Sequence, residues 1–361
     1  MSAPVREIGL AEIEPLARGC AILGTGGGGE VYTGSLIVRQ AIEELGPVAV
    51  VRLDELDPDG ILLPLGMIGA PTVAIEKIPS GREGIVLREH LERVTGRSAV
   101  AVMPSEIGGS NGLIPVAWAA ALGLPLVDAD SMGRAFPEVY QVAQHVAGHK
   151  PELVALTDER GSVVTLQAVS GKWAETLARA ITVAFGGNAA MADYVMRVGD
   201  ARGALIEGSI SRAIAIGRAV AEAVDPVATL VDTVGAFRLL EGKVVDVERR
   251  TTGGFARGTV LVEGTGCDAG RVLRIEIQNE NLVVLEDGRV VASVPDLITL
   301  IDTVTADAIA TELVRFGQRV VVIGFPCAAL WRTPRGIETA GPRAFGYEFD
   351  YVPIEAIHGT R

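Results

Sequence analysis

Two aspartates placed just past an apolar run are the first residues whose spacing suggests chemistry. Asp128 and Asp130 follow residues 124–127, in the order Asp-Ala-Asp-Ser-Met-Gly-Arg134. Two carboxylates in an irregular turn can both face one divalent cation, or one of them can act as a general base. Their plain alternative is turn chemistry, since Asp caps and closes turns. Arg134 offers a planar fork for a substrate carboxylate, or a helical partner for Glu138 four residues on. Glu106 and Asn111 stand in a second polar loop, residues 104–112, where a carboxylate and an amide suit a polar heterocycle or the loop's own backbone. Asn279, Glu280 and Asn281 form a polar triplet between two strand-like runs, either a rigidly held site or a hairpin turn.

The loop that would receive a ligand is Gly24-Thr25-Gly26-Gly27-Gly28-Gly29. Glycine permits positive φ and lets a ligand reach the bare backbone. The apolar run 20–23 before it reads as a strand and residues 31–45 after it as a helix, whose free N–H groups favour an anion. Thr25 and Gly26 to Gly29 are therefore substrate-binding candidates. Gly24, Gly26 and Gly29 also fit the spacing G-x-G-x-x-G, with Asp54 beyond the next strand-like run, which keeps a dinucleotide-dependent oxidoreductase open.

Weaker signals complete the inventory. His145 and His149 are four apart, but the intervening Gly148 weakens a helix and no Glu follows His145, so a solvated pair is the better reading than zinc. Cys327 has no base at a recognisable spacing and reads as a core residue.

These residues need elements to position them. Strands are expected at 48–53, 60–66, 99–103 and 124–127, and helices at 83–94 and 114–122. Strands alternating with helices imply a parallel sheet, with ligands beyond the carboxyl ends of its strands. The loops after residues 23, 103 and 127 would then meet in one pocket. Strands at 153–156 and 163–167 and helices at 172–185 and 209–224 follow. Past residue 234, Glu-Gly and Asp-Gly turns separate alternating runs at 273–278, 282–285, 290–292 and 319–323. The expected architecture is an α/β N-terminal domain with a largely parallel sheet, residues 1–169, and a β-rich α+β C-terminal domain, residues 170–361.

Composition narrows the function classes. In 361 residues the net charge is −13 and aromatics make up 4%, which argues against nucleic acid and anionic membranes as partners. The N-terminus carries charges throughout, and the longest apolar stretch, 113–127, is broken by proline and glycine. Three cysteines without a CxxC read as reduced thiols of a cytoplasmic protein.

Several stretches together resemble the S-methyl thiohydantoin desulfurase family, found near hydantoinase and oxoprolinase genes. They are the loop 24–29, Glu106-Ile-Gly-Gly-Ser-Asn111, the run 128–138, Arg249-Arg-Thr-Thr-Gly-Gly-Phe255, Gln278-Asn-Glu-Asn-Leu282, Pro295-Asp-Leu-Ile298 and Gly341-Pro-Arg343. The resemblance implies two domains and hydrolysis of a sulfur-substituted, hydantoin-like ring that releases a thiol. It carries no residue roles, so these come from chemistry. Asp128 or Asp130 is expected as base or metal ligand, with Glu106 and Glu280 as further catalytic candidates. Backbone amides of residues 26–29 with Asn111 are expected to stabilise negative charge, Arg134 to hold a carboxylate, and Asn279 and Asn281 to bind the ring. The expected cofactor is a divalent metal ion, if any, and the expected partner a small molecule. A homo-oligomer is expected, with association to hydantoinase-type proteins, or a non-catalytic role in such a complex, as the alternative.

Overall fold

The computed structural model describes residues 4–74 and 76–359. Its first sheet is mixed. In spatial order its strands are Glu7–Ile8, Val48–Val51, Leu126–Val127, Ala99–Pro104, Ile61–Gly69, Asn188–Ala192, Val154–Thr157 and Val163–Leu166, with Met196–Arg197 paired antiparallel to the start of Ile61–Gly69. The strands from Val48–Val51 to Ile61–Gly69 run parallel, and the remaining pairings are antiparallel. The central strands Ile61–Gly69 and Ala99–Pro104 are buried nearly end to end, as expected of strands covered on both faces. Helix Val31–Leu45 leads into Val48–Val51, Glu83–Thr95 lies between Ile61–Gly69 and Ala99–Pro104, and Ile114–Leu122 between Ala99–Pro104 and Leu126–Val127. Ile114–Leu122 carries Pro near its start and ends at Gly123 in the left-handed region, so both of its ends are legible in the sequence.

The run 20–23 is not a strand. It is the buried last turn of helix Leu10–Leu23, which packs on helix Ser209–Ala221. The two helices touch backbone to backbone. A Cβ on Gly19 would lie 1.9 Å from the carbonyl oxygen of Ala213, and one on Gly217 1.9 Å from that of Pro15. The glycine loop therefore joins two helices, and the strand–turn–helix order on which the dinucleotide reading rests is absent.

The second sheet has seven antiparallel strands in the order Arg289–Ser293, Glu280–Glu286, Val272–Gln278, Phe255–Gly264, Phe237–Thr252, Arg319–Phe325 and Leu297–Asp302. Its inward residues, among them Val260, Ile275, Leu300 and Val322, form their own core. Residues 171–234 lie between the two sheets in sequence. Strand Asn188–Ala192 joins the first sheet, and helix Ser209–Ala221 covers the first helix, so the chain crosses back over the boundary expected near residue 170. Among the described residues no helix is long and apolar enough to cross a membrane.

Candidate functional site

A cavity of about 500 Å³ lies where the glycine loop, the carboxyl ends of the central strands and the tip of the second sheet meet. Its volume is in the range that buries a drug-sized ligand. Gly28, Gly29, Ser105, Glu106, Asn111, Asp193, Asn279 and Glu280 supply its polar wall.

The two glycine loops explain each other. A Cβ on Gly28 would meet the carbonyl oxygen of Gly108 at 2.1 Å, and one on Gly109 that of Gly27 at 2.5 Å. Ser110 N–H donates to the carbonyl of Gly29 and Asn111 N–H to that of Gly28, at 2.9 and 3.1 Å. The glycines thus form a seam without side chains. The loop offers the cavity less than the sequence suggests. Gly27 N–H is taken by the carbonyl of Gly24. The helix after the loop is capped by its own chain, because the Glu30 carboxylate accepts from the amides of Tyr32 and Thr33. That internal anion occupies the position expected for a ligand. Among the described residues, the amides of Gly28 and Gly29 donate to no protein acceptor, and both residues line the cavity.

Glu106 is held from two sides. Its Oε1 accepts from Asn111 Nδ2 at 2.6 Å and its Oε2 from the Phe136 amide at 3.2 Å. Burial raises its carboxyl to about 8, against the opposing pull of those two bonds. Asn111 mimics a strand neighbour. Its Oδ1 accepts from Met67 N–H at 2.7 Å, and its Nδ2 donates to the Met67 carbonyl at 3.1 Å. Both hydrogens of the Asn111 amide are therefore used, and it is a positioner of Glu106, not the free donor expected.

Glu280 comes from the other sheet. Asn279 turns the chain at φ 57°, tied by its Oδ1 to the Ala256 amide at 2.9 Å, and sends Glu280 against the glycine loop. A Cβ on Gly27 would lie 2.0 Å from Glu280 Oε1. Glu280 is 2% exposed, and its Oε2 has no hydrogen-bond partner among the described residues. Burial first, then the nearby Glu106, hold it well above the usual carboxylate range, while Arg134 pulls it down.

The structure adds a third carboxyl that the sequence did not reveal. Asp193 follows strand Asn188–Ala192, and its Oδ1 accepts from Ser105 Oγ at 2.5 Å. Its Oδ2 is buried and unpartnered among the described residues, and burial raises the group to about 6. The strand before it reads Asn-Ala-Ala-Met-Ala and has no alternation to mark it. Only the position of Ser105 beside Glu106 pointed this way.

Other expected site residues lie elsewhere. Asp128 does not line the cavity: its carboxylate accepts from the amide and hydroxyl of Ser211, at 3.0 and 2.6 Å, and so fixes the start of helix Ser209–Ala221. Asp130 Oδ2 accepts from the amides of Ile107, Met132 and Gly133 at 2.7–3.0 Å, organising the turn and the second glycine loop from behind. Burial raises Asp130 to about 6, against those three bonds. Arg134 is fully buried. It donates to the carbonyls of Ala135, Pro295 and Asp296 and to Thr25 Oγ1, and its guanidinium stacks 4.2 Å over Phe136. It is a strut between the sheets, not a carboxylate clamp. Thr25 and Asn281 belong to the same framework, with Asn281 N–H donating to the Thr25 carbonyl and Asn281 Nδ2 to that of Ile298. Gly26 and Gly27 line only a small neighbouring void of about 50 Å³. Asp54 is ion-paired with Arg52 at the surface.

Among the described residues no three His, Cys, Asp or Glu side chains are grouped to hold a metal ion. His145 packs edge-on against Tyr140 and Tyr194, and its Nδ1 lies 3.2 Å from Tyr194 Oη. Cys327 is buried, and that burial pushes its thiol up to about 12.

Comparison with known proteins agrees with this architecture. A crystal structure of a protein from Chromobacterium violaceum superposes with a TM-score of 0.80 at 25% identity, covering 97% of this chain and all of that one. No curated protein matches the chain. Residues 11–168 match the S-Me-THD-like N-terminal domain and residues 169–354 the S-Me-THD-like C-terminal domain. Two matched domains in sequence, spanning nearly the whole chain, place this protein in the S-methyl thiohydantoin desulfurase-like family.

Proposed function

We infer that the protein hydrolyses an S-methyl thiohydantoin-type ring, releasing methanethiol and leaving a carbonyl. The observation that carries this reading is the convergence of Glu106, Asp193 and Glu280, three buried carboxyls, on one largely apolar cavity. Near neutrality Glu106 retains its proton and Asp193 has lost its own, the arrangement an acid–base pair requires.

In the step proposed, Glu106 gives its proton to the ring nitrogen while Asp193 takes one from the attacking water. A C–O bond forms at the carbon bearing sulfur. Ionised Glu106 then removes the hydroxyl proton as the carbonyl forms and the C–S bond breaks. The departing sulfur takes the proton held by Asp193, so both side chains return to their starting states. The amides of Gly28 and Gly29 are the donors available to charge developing on the substrate. Burial and the neighbouring Glu106 hold the Glu280 carboxyl well above the usual carboxylate range, which disfavours a second negative charge in the same pocket.

The test is thiol release from an S-methyl thiohydantoin, read with a chromogenic thiol reagent. Asp193→Asn is expected to lower kcat at least about 10²-fold, the low end of general acid–base contributions. No thiol from the wild-type protein, or wild-type turnover by Asp193→Asn, would refute the assignment.

A further inference from the structure

We propose that the outer face of helix Gly171–Ala184 is the seat of a second copy of this chain, paired antiparallel across a twofold axis. The helix is built inside out. Its inner face packs on strands Ile61–Gly69, Val154–Thr157, Val163–Leu166 and Asn188–Ala192. The charged Glu175 and Arg179 lie on that inner face, buried and paired at 2.8 Å. A helix that covers only a sheet keeps its outer face polar. Here the outer face exposes a ridge of Trp173, Leu177, Ala180 and Ala184, flanked by Thr176 and Val183. Trp173 is 54% exposed, and Val169, just before the helix, is 85% exposed. A helix that is apolar on both faces is suited to burial on both.

The charge of the chain narrows what covers the ridge. The protein has 45 acidic residues and a net charge of −13, yet between Val169 and Gly187 its one carboxylate is the buried Glu175. Two copies repel each other over most of their surface and least across this face. The same negative charge opposes an anionic membrane.

The order of residues along the ridge selects a copy of itself. Positions 173, 177, 180 and 184 are separated by four, three and four residues, which reads the same from either end. A second helix laid antiparallel therefore meets the first in register. Trp173 then falls opposite the partner's Ala184, and Leu177 opposite the partner's Ala180. Each large side chain meets a small one, which lets the two helices interdigitate. Lys172, the charge at the edge of the face, comes beside the carboxyl end of the partner helix, where a cation is favoured. At on the order of 100 Å² per exposed apolar side chain of this size, the ridge with Val169 presents roughly 500 Å² in each copy. Pairing buries about 1,000 Å² in total, the size at which specific interfaces begin.

Sedimentation velocity at micromolar protein tests this. The wild type is expected to run as a dimer. Leu177→Glu and Ala180→Lys each put unpaired charges into the seam and are expected to weaken pairing at least about a hundredfold. Their circular dichroism spectra should match the wild type, because both positions are exposed in the single chain. Mixed together, the two variants should dimerise again. The introduced carboxylate then faces the introduced ammonium, while native Leu177 and Ala180 meet on the other side of the axis. A monomeric wild type, or single variants that dimerise as it does, overturns the proposal. Monomeric variants that do not recombine on mixing overturn the antiparallel pairing. Should one variant not fold, the other and the wild type still decide.

Discussion

Replacing Glu106 by Gln should make two stability curves cross as pH rises. In the folded protein the Glu106 carboxyl titrates at about 8, against 4.5 for the free group. Between those values the unfolded chain releases a proton that the folded chain keeps. Unfolding is therefore increasingly favoured as pH rises, and stability is lost until the folded group itself ionises. Every pH unit separating the two titrations corresponds to about 1.4 kcal/mol, so the wild type should lose on the order of 5 kcal/mol through this group between acid and alkaline conditions. The variant does not titrate there. Its handicap is geometric, because an amide cannot accept from both Asn111 Nδ2 and the Phe136 amide. One mismatched buried donor costs roughly 1–3 kcal/mol at every pH. The variant should thus be the less stable protein near pH 5 and the more stable one near pH 9, by about 2–4 kcal/mol at the alkaline end. Asp130, Asp193 and Glu280 remain in both proteins, so the difference between the curves reports Glu106 together with its coupling to those carboxyls. Urea unfolding followed by circular dichroism at about pH 5, 7 and 9 measures it. A difference that stays constant over that range would show that Glu106 ionises normally and would refute the reasoning.

Three further outcomes follow from the packing. Gly27→Ala puts a methyl 2.0 Å from Glu280 Oε1 and should push that carboxyl out of place, with a melting temperature drop of several degrees in a scanning fluorimetry trace and a lower kcat in the thiol-release assay. Asp128→Asn loses the acceptor for either the amide or the hydroxyl of Ser211, so it should cost about 1–3 kcal/mol in a denaturant titration while the folded fraction keeps near wild-type kcat. Cys327→Ala removes a buried thiol away from the cavity; it should keep wild-type thiol release in the same assay and lose at most about 2–3 kcal/mol of stability.

How far the sequence can be read depends on whether a residue's neighbours in space are also its neighbours in the chain. Helix Ile114–Leu122 is legible because its proline and its terminal glycine are local signals. Four of the antiparallel strands after residue 234 are legible from alternation and the Asp287-Gly288 turn, whereas Glu241-Gly242, which reads as a turn, lies inside strand Phe237–Thr252, because sheet partners on both sides hold the chain extended there. The run 20–23 misleads because four apolar residues suit a strand or a buried helical turn equally, and what decides is the helix that lies across it. The meeting of the glycine loops follows from the parallel sheet, and Glu106 and Glu280 stand out from their polar surroundings in the chain. Asp128 and Asp130 invite too much chemistry, since a carboxylate after a strand is spelled the same whether it accepts from a substrate or from Ser211. Asp193 escapes notice because its strand joins the sheet antiparallel, from outside the repeating strand–helix pattern.

Arg134 has a mechanical consequence. It grips Thr25 on one side and the carbonyls of Pro295 and Asp296 on the other, with no exposure to solvent. Prying the halves apart would strand a full positive charge among groups that no longer reach it, a cost of roughly 3–5 kcal/mol for a buried ion that loses its partners. A hinge opening at that seam is thus an expensive way to admit substrate. The two halves should instead melt together in one transition, and traffic to the cavity should pass through its rim, where Tyr32 and Leu313 stand exposed.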